Sequence, residues 1–327
     1  MPPRPADRVL ASVGSLPTPL RKLRDRALNA TLGAPFFFGV ACHSCAINLR
    51  ATHMGSFMPF RVATWNINSV RLRLPLVERF LREHQPDVLC LQEIKCATDL
   101  FPGEALAAAG YKHAVVHGQP GYHGVATISR WPLHEVCRYD FNATGQARHV
   151  AVRVSAGAKK RDLIVNNVYV PSGGDVADAD VNDKFGDKLA YLAGMAGGMA
   201  GEKDQRPWRI AVGDFNVAPD EHDVWSHKQM SGIVSHTPIE IAALARVREA
   251  GAWTDVMRAL RPSPQKLYTW WSYRAKDWRT TNRGRRLDHV WASADLAPLA
   301  KTMQIIDATR DWTQTSDHVP VLVDFKL

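Results

Sequence analysis

The chain has 327 residues, 46% apolar and 22% charged, with a formal charge of +9. That length and balance exclude a disordered or fibrous chain and leave room for one large or two small domains. No stretch of about 20 apolar residues occurs, which excludes a helical membrane span. Residues 1–57 hold +5 of the charge (Arg4, Arg8, Arg21, Lys22, Arg24, Arg26 and Arg50 against Asp7 and Asp25), leaving +4 for the rest. A polyanionic partner must therefore be met by where the charges sit and not by their sum.

Taken in chain order, residues 1–57 are rich in Pro, Arg and Ala and read as a disordered basic extension, with a short basic helix over Pro19 to Leu32. Met58 directly precedes the first strand and is the expected start, which would place the extension upstream of it. An organelle-targeting segment is the alternative. Cys42-His43-Ser44-Cys45 lacks a second ligand pair at zinc spacing. Five cysteines (Cys42, Cys45, Cys90, Cys96, Cys137) without regular spacing fit a reducing compartment.

Residues 58–327 read as one domain of interleaved strands and helices. Strands are expected at Phe60–Thr64, Val88–Leu91, His113–Val116, Gly124–Ser129, His149–Val154, Leu163–Val170, Arg209–Val212, Leu287–Ala292 and Val319–Phe325. Leu72–His84 is helix-like, with Leu72, Leu76, Val77, Phe80 and Leu81 on one face and Pro86 ending it. Ile239–Glu249 and Trp253–Leu260 also read as helices, and Gly194–Gly201 as a Gly/Ala-rich break or a loose helix end. There is no internal repeat in the sequence.

Four polar clusters stand where strands end or begin: Thr64-Trp65-Asn66-Ile67-Asn68, Leu91-Gln92-Glu93-Ile94-Lys95, Gly213-Asp214-Phe215-Asn216 and Ser316-Asp317-His318-Val319-Pro320. Alternation along a strand puts Asn66 with Asn68, and Asp214 with Asn216, on shared faces. A strand is expected to break at Gly213. Carboxylates and amides at strand mouths suit a hard divalent cation and a phosphate. Any one cluster reads as turn residues or a helix cap; four in this order do not.

With Gly124-Val125-Ala126, Asn167-Val168-Tyr169-Val170-Pro171-Ser172-Gly173 and Arg286-Leu287-Asp288, these segments make the chain resemble the exonuclease III family of abasic-site endonucleases, within the endonuclease/exonuclease/phosphatase superfamily, over about residues 58–327. The resemblance implies an α/β fold, a two-sheet sandwich flanked by helices with the site at one edge. It implies Mg²⁺, replaceable by Mn²⁺, held by Glu93 with Asn68, Asp317 and Asn66 around it. Asp214 would orient or deprotonate the attacking water, with Asn216 and Asn66 positioning that water, Asp214 and the phosphate. Tyr169 would contact the phosphate or support the leaving group, and His318, paired with Asp288, would contact the scissile phosphate. The implied partner is duplex DNA with abasic sites or 3′ ends, met by a cytoplasmic, nucleoid-associated monomer without membrane contact. A phosphodiesterase or phosphatase acting on RNA, lipid or a small molecule is the alternative, and a non-catalytic DNA-binding module a third reading.

From Arg274 to Arg286 six basic residues face one acid, behind Tyr268-Thr269-Trp270-Trp271-Ser272-Tyr273. Rings interleaved with cations suit nucleic acid. Trp270, Arg274, Arg285 and Leu287 are the expected substrate contacts, while Trp271 on the opposite face would plug the core. The resemblance places an aromatic at Trp270 beside the extruded abasic sugar. It also places Trp or Leu where this chain has Arg285, a departure that bears on the balance between abasic-site cutting and exonuclease action.

Overall fold

The computed structural model describes residues 59–155, 162–201, 207–275 and 277–327. The basic extension with its expected helix, the Cys42/Cys45 pair, Met58 and Lys276 lie outside the described residues.

Twelve strands form two six-stranded sheets. They are β1 (Phe60–Asn66), β2 (Val88–Gln92), β3 (His113–His117), β4 (Val125–Ser129), β5 (Leu133–Cys137), β6 (His149–Val154), β7 (Leu163–Tyr169), β8 (Trp208–Asp214), β9 (Trp253–Asp255), β10 (Asp288–Ser293), β11 (Ala300–Ile305) and β12 (Val321–Phe325). The sheet orders are β11-β12-β1-β2-β4-β3 and β5-β6-β7-β8-β10-β9. Among the described residues only β1/β2 and β7/β8 pair in parallel. Each parallel pair is joined by a helix: α1 (Leu74–His84) between β1 and β2, and α3 (Asp183–Ala200), after the short α2 (Gly103–Ala108), between β7 and β8. A parallel pair needs such a crossover. Shorter helices α4 (His227–Met230), α6 (Val256–Leu260) and α7 (Trp278–Thr281), with the longer α5 (Pro238–Ala250), complete the chain.

Three apolar layers follow from strand alternation. Val62, Val88, Cys90 and Val125 of one sheet meet Val150, Val165, Ile210, Val212 and Val290 of the other. On the outer face of the first sheet, Trp65, Leu89 and Ile128 pack on Val77, Phe80 and Leu81 of α1. On the outer face of the second, Val168, Ala211 and Trp291 pack on Tyr191, Leu192 and Met195 of α3 and on Leu244 and Val247 of α5. A polar bolt crosses between the sheets: Gln92 Nε2 donates to Asn167 Oδ1 at 2.8 Å, and Asn167 Nδ2 donates to the carbonyls of Leu91 and Ala126. Such a fully satisfied buried network fixes the register of the two layers.

Several expectations change. Of the two readings of Gly194–Gly201, the helix end holds: the stretch forms the last turns and C-cap of the 18-residue α3. Its glycines admit neighbours: a Cβ on Gly194 would come within 1.8 Å of the Phe141 carbonyl oxygen. The β8 strand does not break at Gly213 but runs through it to Asp214. A Cβ there would meet Val168 O at 1.9 Å, so glycine is what lets β7 and β8 approach at the site. Trp253–Asp255 is a short strand pairing with β10, and only Val256–Leu260 is helical. Leu72 precedes α1 and is 54% exposed. Leu133–Cys137 and Ala300–Ile305 were not expected as strands; both are edges with much of their length exposed, so they lack an apolar run.

Candidate active site

The four central parallel strands deliver their carboxyl ends to one place. Asn66 ends β1, Glu93 follows β2, Tyr169 ends β7 and Asp214 ends β8. The antiparallel neighbours add Asp288 at the start of β10 and His318 just before β12. The chain then turns sharply: Asn68, Glu93, Lys95 and Asn216 have φ of 48°, 55°, 51° and 52°. Left-handed backbone at non-glycine residues costs energy and gathers where geometry serves a site. It also corrects the alternation argument, because Asn68 and Asn216 reach the site through turns and not as strand neighbours.

Asp214 is the hub. Its Oδ2 accepts from Asn66 Nδ2 at 3.0 Å and Asn216 Nδ2 at 3.1 Å, and its Oδ1 accepts from Asn216 N at 3.0 Å. His318 Nδ1 donates to Asp288 Oδ2 at 2.9 Å, and its Nε2 lies 3.7 Å from Asp214 Oδ2. Burial opposes charge on His318, but Asp288 and Asp214 outweigh it and raise its pKa to about 10. Burial pushes Asp214 up to about 7; His318 pulls it down and Asp288 adds to the rise. Tyr169, raised well above the usual phenol value by burial and then by Glu93 and Asp214, keeps its proton. The Arg148 guanidinium lies 4.8 Å from the Tyr169 ring centroid.

The loop before β12 is pinned to β1. Ser316 Oγ donates to Asn66 O at 2.7 Å, and Trp65 Nε1 donates to His318 O at 3.1 Å. Asp317 accepts from Asn68 Nδ2 at 3.2 Å and from Trp270 Nε1 at 2.9 Å. Lys95, to which sequence reasoning gave no role, bridges Glu93 Oε1 and Asn68 Oδ1, at 2.7 Å from each. A cation already sits between these two oxygens. Glu93, Asn68 and Asp317, linked through Lys95 and the Asn68 amide, carry oxygen atoms of the kind Mg²⁺ prefers. Asp214, Asp288 and His318 form a second group whose ligand atoms lie within 4.8 Å of one another. Asp288 Oδ1 there is buried without a protein hydrogen bond. A charged imidazole offers no lone pair, so in that form His318 can donate a hydrogen bond but cannot ligate a metal.

The substrate residues part company. Trp270 and Arg285 line the site, the Arg285 guanidinium lying 5.0 Å from the Trp270 ring centroid. Arg274 is exposed, its backbone N–H donates to Ser272 Oγ at 3.2 Å, and no contact among the described residues ties its side chain to the site. Leu287 is 4% exposed, so its side chain belongs to the core and has almost no surface to offer a substrate. Trp271 is buried beside Tyr268 and Val319, as expected. Two residues that carried no signal also reach the site. Arg73 donates to Tyr273 Oη at 3.0 Å and to Gln314 O at 2.7 Å, clamping the loop that carries Asp317. His123 packs 6.2 Å from the Tyr169 ring, its pKa lowered to about 4 by burial and by Arg148.

A two-sheet sandwich with carboxylates, amides and a charged imidazole at the carboxyl ends of its central strands defines a hydrolase-type α/β class. The chain belongs to the endonuclease/exonuclease/phosphatase family, whose pattern matches residues 63–318. It is 31% identical over 269 residues to exodeoxyribonuclease III of Haemophilus influenzae, covering 80% of this chain and 98% of that protein. An AP endonuclease from Archaeoglobus fulgidus superposes with a TM-score of 0.74 at 29% identity, covering 82% of this chain and all of that one. The 3′ phosphatase NExo from Neisseria, bound to a product DNA hairpin, superposes with a TM-score of 0.72 at 30% identity, covering 81% of this chain and 99% of that one. No helix among the described residues is long and apolar enough to cross a membrane.

Proposed function

We propose that the chain is a Mg²⁺-dependent DNA-repair nuclease that hydrolyses the phosphodiester 5′ of abasic sites and removes nucleotides from the 3′ ends of duplex DNA. It acts as a monomer in the cytoplasm, at the nucleoid, with residues 58–327 as the catalytic domain. The observation that carries the reading is the convergence of Asp214, the His318–Asp288 couple and the Glu93, Asn68 and Asp317 oxygens at one end of the sandwich. The likeness to an exodeoxyribonuclease III over four-fifths of the chain supports DNA as the substrate.

The residues divide the chemistry. Asp214, held by Asn66 and Asn216 with a pKa near 7, takes the proton of the attacking water. That water adds to phosphorus, and the bond to the 3′ oxygen breaks. His318 Nε2–H faces a non-bridging oxygen, and Asp288 keeps the ring charged and oriented. Tyr169, still protonated, supplies a hydrogen bond or proton to the departing 3′ oxygen. Glu93, Asn68 and Asp317 would hold Mg²⁺, which when bound neutralises charge on the phosphate.

Parallel binding and cleavage assays on a duplex with one tetrahydrofuran abasic analogue test the reading. Wild type is expected to bind and cut, and Asp214→Asn to bind while cutting about 10²- to 10⁴-fold more slowly, as for loss of a general base. Wild type that neither binds nor cuts DNA but hydrolyses an RNA, lipid or small phosphoester would overturn the substrate assignment. Binding without cleavage by wild type would overturn catalysis.

A further inference from the structure

Arg285 and Arg286 are neighbours in opposite electrostatic situations. Arg286 is fully buried, and its charge is matched by Asp223 Oδ1, Asp223 Oδ2 and Asp255 Oδ2, each at 2.8 Å. Arg285 is half-buried and has no carboxylate within ion-pair reach among the described residues. Its Nη1 donates to two neutral acceptors, Val234 O at 3.2 Å and Ser235 Oγ at 2.9 Å. Its Nε and Nη2, three of the five guanidinium N–H donors, carry no protein hydrogen bond. The guanidinium is therefore fixed by its Nη1 anchors and by the Trp270 ring, while its charge has no direct ion-pair partner: Glu240 favours it only at longer range and is itself paired with Lys188. A partly desolvated cation held this way is unfavourable unless an anion completes it.

Its position says which anion. The Trp270 ring under Arg285 donates its Nε1–H to Asp317, the residue before His318. The backbone of Trp270 bridges both Arg285 and His318. One indole thus separates the free guanidinium edge from the groups that meet the scissile phosphate. That planar edge matches two oxygens of a phosphate. It also covers a face of Trp270 on which a base would otherwise stack.

We propose that Arg285 is a substrate-positioning residue that binds, through Nε and Nη2, the DNA phosphate adjacent to the scissile one. The proposal rests on the reading of the chain as a DNA nuclease.

Methylphosphonates, which remove the charge of one phosphate at a time, test it. Single-turnover cleavage is measured on duplexes carrying one methylphosphonate at each phosphate flanking the scissile bond, with wild type and Arg285→Met. At one flanking position the methylphosphonate is expected to slow wild type about 10- to 100-fold, the worth of a charge-assisted hydrogen bond. It is expected to slow Arg285→Met little further, because the two changes remove the same contact. Arg285→Gln, which loses the charge and keeps a donor for Val234 and Ser235, gives the same readout if methionine perturbs the loop. Additive effects at every flanking phosphate overturn the proposal. Wild-type cleavage of the unmodified duplex is the control: its failure counts against DNA as substrate, whereas cleavage with additive effects counts against Arg285 alone.

Discussion

Burial gives Asp214 a pKa of about 7, while Asp288 and Asp214 hold His318 near 10 against the burial that opposes it. Below about 7 the carboxylate keeps its proton and cannot accept one from water. Above about 10 the imidazole loses the proton it presents to phosphate. The single-turnover rate is therefore expected to rise through about 7, stay level, and fall near 10. Asp288→Asn removes a charge that sustains the imidazolium, so it is expected to move the falling limb to lower pH; an unmoved limb would contradict the pairing. His318→Asn is expected to cost about 10²-fold or more in turnover, the worth of a group that stabilises transition-state charge. Glu93→Ala is expected to raise the Mg²⁺ concentration for half-maximal rate, with much of the rate recovered at high metal; a titration with unchanged midpoint would remove Glu93 from the metal. Glu93, Asp214 and His318 were legible in the sequence because each stands within a few residues of an apolar run. Lys95 was not legible as their partner, because it meets Glu93 and Asn68 through left-handed turns that periodicity does not encode.

At the scale of elements, strands with two buried faces announce themselves as continuous apolar runs, and these were legible in the sequence. His149–Val154 and Leu163–Tyr169 are nearly uniformly buried. Only the end of α3 was legible, as a loose helix end, because Gly186, Gly194, Gly197 and Gly198 depress helix propensity along it, and Gly194 is there to admit the Phe141 backbone. Gly194→Ala, helix-favouring by propensity alone, is expected to destabilise the fold by about 1–3 kcal/mol through overpacking. A thermal or urea melt checks the sign, and a stabilised variant would contradict the packing. The helix also carries Lys188, fully buried and ion-paired to Glu240 of α5, with Nζ donating to Asn216 O at 2.7 Å. Losing one member of a buried pair costs about 3–5 kcal/mol. Lys188→Met is therefore expected to lower the urea midpoint markedly and to slow turnover through Asn216. A variant with unchanged midpoint and rate would show that the pair holds neither the helices nor the site.

Over the whole molecule, two βαβ crossovers, β1–α1–β2 and β7–α3–β8, each build the middle of one sheet and send their carboxyl ends to the same edge. That correspondence leaves no trace as a sequence repeat, because only the strand direction and the need for polar ends are shared. It does explain why Asn66, Glu93, Tyr169 and Asp214 meet although they span about half the chain. The most direct test is cleavage of an end-labelled duplex bearing one tetrahydrofuran analogue, beside an undamaged duplex, in Mg²⁺ and in EDTA, with products mapped to the nucleotide. The predicted result is a cut immediately 5′ of the analogue, with shortening from 3′ ends, both abolished by EDTA. Equal cleavage in EDTA, or intact DNA in Mg²⁺, would contradict a metal-dependent DNA nuclease built on these strand ends.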